Sequence, residues 1–245
     1  MVLSAAYLII FSPTHFEKPM KFALITEGAS EHRIMKHILG RYFRDFDPDI
    51  NQIQPKMGKE KQESTGGWNE VLKYCGRDEI EDILIENDYL VVQIDTDQSQ
   101  TSPFDVDHTT NENTLKSQEA LYEDVASKLT SLFKPEVLEK SSNKILFAIC
   151  MHTIECWLLP IYHSNTHKSD ISNCLFTLNK VLAKLNMPPI PSKDKNSSTS
   201  IRTFEAILKN CNKKKEIIEF SVHNVGFQKF VGALENLESS FLKDR

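Results

Sequence analysis

The sequence predicts an α/β fold of the Rossmann-like kind, a mostly parallel sheet with helices on both faces. Three short apolar runs, at residues 22–25, 89–94 and 145–150, have the length and composition of strands buried on both faces of such a sheet. Residues 50–53 are a candidate for a fourth, shorter strand. Segments with helical spacing separate these strands, and this alternation implies right-handed crossovers between parallel neighbours.

Composition limits the class of protein. The chain has 245 residues, enough for one large domain or for one domain with an appendage. Its net charge of −5 argues against coating by nucleic acid over the whole surface, although a local basic groove is compatible with it. Five cysteines include no C-x-x-C pair, and the spacing of Cys150 and Cys156 fits neither a zinc knuckle nor an obvious disulfide framework. A reducing, cytoplasmic setting is therefore expected.

Residues 1–19 are predicted to be an N-terminal extension. Their apolar stretch, residues 5–11, follows no lysine or arginine and is too short to span a bilayer, so no membrane association is expected. Residues 7–11 are interpreted as an added edge strand or a packed extension, with disorder as the alternative.

The first strand leads directly into an acidic turn. The run at residues 22–25 ends in Glu27-Gly28, and a helix with apolar spacing is predicted over residues 31–43, with Ser30 as its N-cap. In α/β folds, ligands bind outside the carboxyl ends of the strands. A carboxylate at this position is therefore a candidate functional group.

The next part of the chain is less informative. Residues 55–65 form a polar loop with three lysines, which are interpreted as solvated rather than phosphate-binding because two glutamates accompany them. Helices are predicted over residues 68–74 and 78–86.

Two aspartates follow the second buried run. Residues 89–94, broken only by Gln93, lead into Asp95-Thr-Asp97. A polar loop at residues 98–113 then precedes a helix predicted over residues 114–133.

The last strand, predicted over residues 144–151, is followed by a third acid, Glu155. The core domain is predicted to span residues 20–165, and residues 166–245 are predicted to be a helical C-terminal extension packed on it. This extension contains a polar loop, residues 192–200, with Lys193 and Lys195. Its predicted helices cover residues 171–185, 203–210, 214–220 and 226–242.

Acids at the ends of three strands indicate a metal site. Mg²⁺ or Mn²⁺ prefers oxygen ligands, and one or two such ions can promote phosphodiester cleavage. Asp95 and Asp97 are candidate metal ligands, and Glu27 is either a further ligand or a general acid/base. Glu31 could bind a second ion, or it could be a first-turn acid favoured by the helix dipole. The sequence contains no P-loop, no G-x-G-x-x-G and no G-x-S-x-G.

These motifs resemble the TOPRIM domain. Glu27 to Glu31 read E-G-x-S-E, Asp95 and Asp97 form D-x-D, and Glu155 opens E-x-W-L-L. Together they are most similar to the stand-alone proteins of the overcoming-lysogenization-defect (OLD) group, many of which belong to phage-defence systems. The resemblance implies metal ligands at Glu27, Glu31, Asp95, Asp97 and Glu155. It also implies that Lys193 or Lys195 supplies the basic residue near the phosphate.

The resemblance further implies a function: a Mg²⁺- or Mn²⁺-dependent nuclease that cuts DNA or RNA, tRNA included, as the toxic effector of antiphage defence. A separate ABC-type ATPase is the expected protein partner, and a homodimer is a further expectation. The alternative is a catalytically silent TOPRIM module that binds a protein partner or nucleic acid. Crowded carboxylates repel one another unless a cation neutralises them, which favours the metal site.

Overall fold

The computed structural model describes residues 19–56 and 63–243. The predicted N-terminal extension lies outside this range except for its last residue, so its interpretation as an edge strand stays a prediction. Lys59 and Lys61 of the lysine-rich loop also lie outside it.

Four strands within the described residues form one sheet in which every pairing is parallel, which confirms the α/β prediction. The strands are β1 (Lys21–Ile25), β2 (Asp49–Gln54), β3 (Tyr89–Asp95) and β4 (Ile145–Cys150). Their order in the sheet is β2-β1-β3-β4. The chain moves from β1 to one side and then crosses to the other side, so the gap between the carboxyl ends of β1 and β3 is a topological switch point. Ligands of open α/β sheets bind at such points.

Ten α-helices surround the sheet in the described part of the chain. They are α1 (Ala29–Tyr42), α2 (Trp68–Cys75), α3 (Glu79–Glu86), α4 (Gln118–Leu132), α5 (Pro135–Ser141), α6 (Glu155–Leu158), α7 (Cys174–Lys184), α8 (Ser198–Leu208), α9 (Lys214–Ser221) and α10 (Val225–Lys243).

Two hydrophobic cores lie on opposite faces of the sheet. In β1, Phe22 and Leu24 belong to one core, and Ala23 and Ile25 belong to the other. This separation follows from the two-residue period of a strand, and it explains why the predicted strands are apolar at successive positions. Helices α2 to α5 cover one face, while α1 and α6 to α10 cover the other.

The C-terminal helices belong to the same core as the strands. The Trp157 ring, which follows β4, stacks on Phe227 of α10 with centroids 4.4 Å apart. Its indole Nε1 donates a hydrogen bond of 3.1 Å to Asn224 Oδ1. These contacts with α10 and with Asn224 just before it hold the segment that carries Glu155 in place.

Several predicted boundaries were wrong. Helix α1 begins at Ala29 with Gly28 as its N-cap, so the prediction of Ser30 as the cap is incorrect. Helix α4 begins later than expected because the Ser117 side chain caps it by accepting a hydrogen bond from the Ala120 amide. Helix α5 was not predicted, since its seven residues are too few for a periodic pattern to be recognised.

Two of the five cysteines form a disulfide bond. Cys156 of α6 forms a disulfide with Cys174, the first residue of α7, with the Cα atoms 5.0 Å apart. Spacing along the chain did not reveal this pair, because the two residues are brought together only by the packing of α6 against α7. The other three cysteines are free and buried.

No helix in the described part of the chain combines the length and apolar character needed to cross a membrane.

The contact between α10 and β4 gives a stability prediction. A Cβ atom on Gly226 would lie 1.9 Å from the carbonyl oxygen of Ile149, whereas a Cβ atom on Gly232 would meet nothing within 4 Å. We expect Gly226→Ala to destabilise the protein by an amount near the top of the range for overpacked cores, about 1–3 kcal/mol. Gly232→Ala should instead stabilise it by about 0.5–1 kcal/mol, because alanine is the better helix former.

Chemical denaturation of both variants measures this difference. Equal effects of the two substitutions would contradict the close packing of α10 on β4.

Candidate active site

Hydrogen bonds join the acidic ends of β1 and β3 directly. Glu27 Oε1 accepts a 2.6 Å hydrogen bond from the Asp95 amide. Gln93 links the same two residues, since its Oε1 accepts from the Glu27 amide at 3.1 Å and its Nε2 donates to Asp95 Oδ1 at 2.9 Å. Gln93 is fully buried. The sequence signal for this role was the single polar residue in the otherwise apolar run of β3.

The segment after β4 is held against the end of β3. The His152 amide donates to Thr96 Oγ1 at 2.8 Å, and its carbonyl accepts from the Asp97 amide at 3.0 Å. His152 has a φ of 66°, a left-handed conformation that is costly for a residue with a side chain and that surrounding contacts must maintain. This turn leads into α6, whose first residue is Glu155.

Lys195 lies between two of the predicted metal ligands. Its Nζ is 3.4 Å from Glu31 Oε1 and 3.0 Å from Glu155 Oε1. The side chains of Glu31 and Glu155 are only 4% and 1% exposed, and that of Lys195 is 25% exposed. Neither carboxylate is hydrated freely, so the ammonium group of Lys195 is a principal source of compensating charge.

The loop that carries Lys195 is anchored to the start of α1. Asn196 Oδ1 accepts a 3.0 Å hydrogen bond from the Ser30 amide, and Ser30 Oγ donates to Glu31 Oε2 at 2.8 Å. A Cβ atom on Gly28 would lie 2.5 Å from Glu31 Oε2 and 2.8 Å from Asn196 Oδ1. Gly28 itself is extended, so a side chain here would displace Glu31 and Asn196 rather than strain the backbone.

The structure therefore brings most of the predicted site residues together. Glu27 accepts a hydrogen bond from the Asp95 amide, and Lys195 lies within ion-pair distance of Glu31 and Glu155, all at one end of the sheet. Asp97 is exposed at the rim, where it lines a cavity together with Glu155 and Lys195.

Three further site features differ from the sequence interpretation or were absent from it. Lys193 is exposed in the loop, so of the two candidate lysines only Lys195 has a described ion pair with the acids. Sequence reasoning assigned no role to Asn196. It treated Gln93 only as an interruption of a strand.

Burial and like charge alter the acids of the cluster. Burial raises the pKa of Glu27 to about 8; the Asp95 amide opposes this effect, and the charges of Glu31 and Asp97 add to it. The pKa of Asp95 is well above its ordinary value. Burial is the main cause, and the charge of Glu27 is the next largest. Burial disfavours the charged form of Lys195 and acts to lower its pKa. The negative charges of Glu31, Glu155 and Asp95 have the larger combined effect, so the pKa of Lys195 is raised.

The donor chemistry of the cluster fits a hard divalent cation. The carboxylates of Glu27, Glu31, Asp95 and Glu155 all supply the oxygen donors that Mg²⁺ and Mn²⁺ prefer, and Lys195 pairs with two of them, Glu31 and Glu155. Within the described ranges, no three His, Cys, Asp or Glu side chains converge as a ready-made metal site. In this arrangement Lys195 separates Glu31 from Glu155, so metal binding would require these side chains to rearrange.

Comparisons of the chain with protein-family models, with curated proteins and with solved structures found no match.

The raised pKa of Glu27 predicts how stability varies with pH. Its carboxyl has a pKa of about 8 in the folded protein against 4.5 for the ordinary group, so the folded state binds more protons between these values. Protonation of Glu27 therefore stabilises the folded state at low pH, and this stabilisation is lost as the pH rises from about 4.5 to 8. Without divalent ions, we expect the free energy of unfolding to decrease by about 1 kcal/mol between pH 7 and 8.

Thermal unfolding in EDTA at increasing pH tests this expectation, and Mg²⁺ should restore stability mainly at the alkaline end. Glu27→Gln is the matched control, since it should reduce the decrease between pH 7 and 8. A wild-type melting temperature that stays constant above pH 7 would contradict the raised pKa.

Proposed function

We propose that this protein is a metal-dependent nuclease of the TOPRIM type that hydrolyses phosphodiester bonds of DNA or RNA. One observation carries the proposal: carboxylates from the ends of β1, β3 and β4 gather with Lys195 at the switch point of a parallel sheet. Acids that are buried or half-buried and have raised pKa values, as Asp95 and Glu27 do, are typical of functional sites.

A divalent cation would be held by Asp95 and Asp97 with Glu27, Glu31 and Glu155. When bound, such a cation supplies charge stabilisation and a more acidic water. Glu27 Oε1 is engaged by the Asp95 amide, so Oε2 is the atom available to carry a proton. A carboxyl group with a pKa of about 8 can take up and release that proton near neutral pH, as a general acid/base must.

Lys195 has a complementary role in this proposal. Its pKa is raised, so its ammonium group stays protonated under all physiological conditions. It lies on the wall of the cavity that Asp97 and Glu155 also line, where it could neutralise charge on a phosphate. Lys193 shares the loop but is exposed to solvent.

The wider biological role rests on the motif resemblance. In this proposal the protein is the toxic effector of an antiphage defence system, and a separate ABC-type ATPase releases or activates it. Self-association into a homodimer is part of the same expectation.

A second function is favoured by a specific contact. Lys195 already bridges Glu31 and Glu155, so a protein cation compensates part of the acidic cluster without a metal. A catalytically silent module that binds a protein partner or nucleic acid would have this arrangement.

Cleavage assays distinguish the two functions. Plasmid DNA and total RNA, including tRNA, are incubated with the protein and Mg²⁺ or Mn²⁺, with EDTA as the metal-free control. We expect cleavage by the wild type, none by Glu27→Ala, and undiminished cleavage by Asp107→Ala, which alters an acid of the neighbouring loop. Absence of cleavage by the wild type, together with equal toxicity of wild type and Glu27→Ala on expression, would leave only the silent module.

A further inference from the structure

A cavity of about 660 Å³ adjoins the acidic cluster and has a chemically mixed lining. Its charged lining residues are Asp97, Glu155 and Lys195. Apolar side chains of α7 and of the segment at residues 189–191 also line it. This volume is within the range of pockets that hold small organic ligands, about 300–1,000 Å³. Charged and apolar lining residues together suit a ligand with one charged and one flat, apolar part.

Phe176 is an exposed aromatic residue in the apolar part of this lining. It projects from α7 with 62% of its surface exposed and lines the cavity. Lys180, one helical turn further on, places its Nζ 4.2 Å from the centre of the Phe176 ring. An aromatic ring beside a cation is a combination by which proteins bind single-stranded nucleic acid, because the ring stacks on a base and the lysine contacts phosphate.

The wall of the cavity is held in place before any ligand binds. Asn179 Nδ2 donates to the carbonyl of Ile190, and the Ile190 amide donates back to Asn179 Oδ1, both at 2.9 Å. Leu178 and Leu182 anchor α7 in the hydrophobic core. A wall that is already ordered loses little conformational entropy on binding, which favours a specific ligand.

We propose that this cavity binds an unpaired nucleobase next to the bond that the site cleaves, so that the substrate is single-stranded nucleic acid or a nucleotide in an unpaired loop. The inference rests on the proposed nuclease function, because Glu155 and Lys195 belong to both the cavity and the acidic cluster. Bases inside a duplex are stacked and paired. A base can therefore enter a pocket beside the cleavage site only when it is unpaired or turned out of the helix.

Binding measurements can test the pocket separately from cleavage. In the full-length Glu27→Gln protein with Mg²⁺, fluorescence anisotropy compares a short thymidine strand, an abasic strand with the same phosphates, and a duplex. We expect the thymidine strand to bind best. Adding Phe176→Ala should weaken its binding by about 10-fold, as expected for the loss of one stacked base, and should leave binding of the abasic strand unchanged.

Leu185→Ala is the matched control, since Leu185 is an exposed apolar residue just after α7 and does not line the cavity. It should change none of the three affinities. An equal loss of thymidine and abasic binding in Phe176→Ala, or no loss, would overturn the base pocket, as would duplex binding as tight as that of the thymidine strand. Base-dependent binding without any cleavage by the wild type would retain the pocket and reject the nuclease.

Discussion

Replacing Lys195 with methionine is expected to destabilise the protein by about 3 kcal/mol in the absence of divalent ions. Methionine keeps much of the side-chain volume but leaves Glu31 and Glu155, which are 4% and 1% exposed, without their ammonium partner. Removing one member of a buried ion pair typically costs about 3–5 kcal/mol, and the partial exposure of Lys195 favours the lower value. For a chain of this size the melting temperature should fall by roughly 6–12 °C.

Two further variants and the addition of Mg²⁺ serve as controls for this experiment. Lys193→Met alters the exposed lysine of the same loop and should change stability by less than about 0.5 kcal/mol. Adding Glu155→Gln to Lys195→Met should recover part of the loss, because it removes one of the uncompensated charges. Mg²⁺ should raise the melting temperature of Lys195→Met more than that of the wild type. Equal melting temperatures of the two single lysine variants would show that Lys195 does not neutralise the cluster.

Glu27→Gln is expected to lower the rate of phosphodiester cleavage by about 1,000-fold, within the usual range for loss of a general acid/base. The amide retains an oxygen that can accept the hydrogen bond from the Asp95 amide, so the geometry at the ends of β1 and β3 should persist. The substitution also removes a half-buried carboxyl group whose pKa is about 8. In EDTA near pH 8, the variant should therefore be more stable than the wild type while being almost inactive.

Opposite changes in activity and stability are the signature of a functional residue whose charge is structurally unfavourable. Single-turnover cleavage and thermal unfolding measure them on the same preparation. Glu112→Gln, in the exposed loop after β3, makes the same chemical change outside the cluster and should leave both quantities unchanged. Wild-type activity in Glu27→Gln would remove Glu27 from the mechanism.

The strands and most helices could be predicted because their causes are local. A strand buried on both faces must be apolar at successive positions, and β1, β3 and β4 follow that rule in the sequence. The starts of α1 and α4 were missed because a cap depends on one or two contacts rather than on a repeating pattern. The disulfide of Cys156 depends on how α7 packs, which periodicity does not describe.

By itself, the sequence determined the α/β class and the positions of the acids that follow the strands, since both depend on residue type and short-range periodicity. Only the tertiary structure decided that β1 and β3 are neighbours at a switch point, and that Gln93 ties Glu27 to Asp95. Only the tertiary structure selected Lys195 over Lys193 as the partner of the acids. The physical reason is distance along the chain: the Ser30–Asn196 hydrogen bond that anchors this loop joins residues 166 positions apart, and packing alone brings them together.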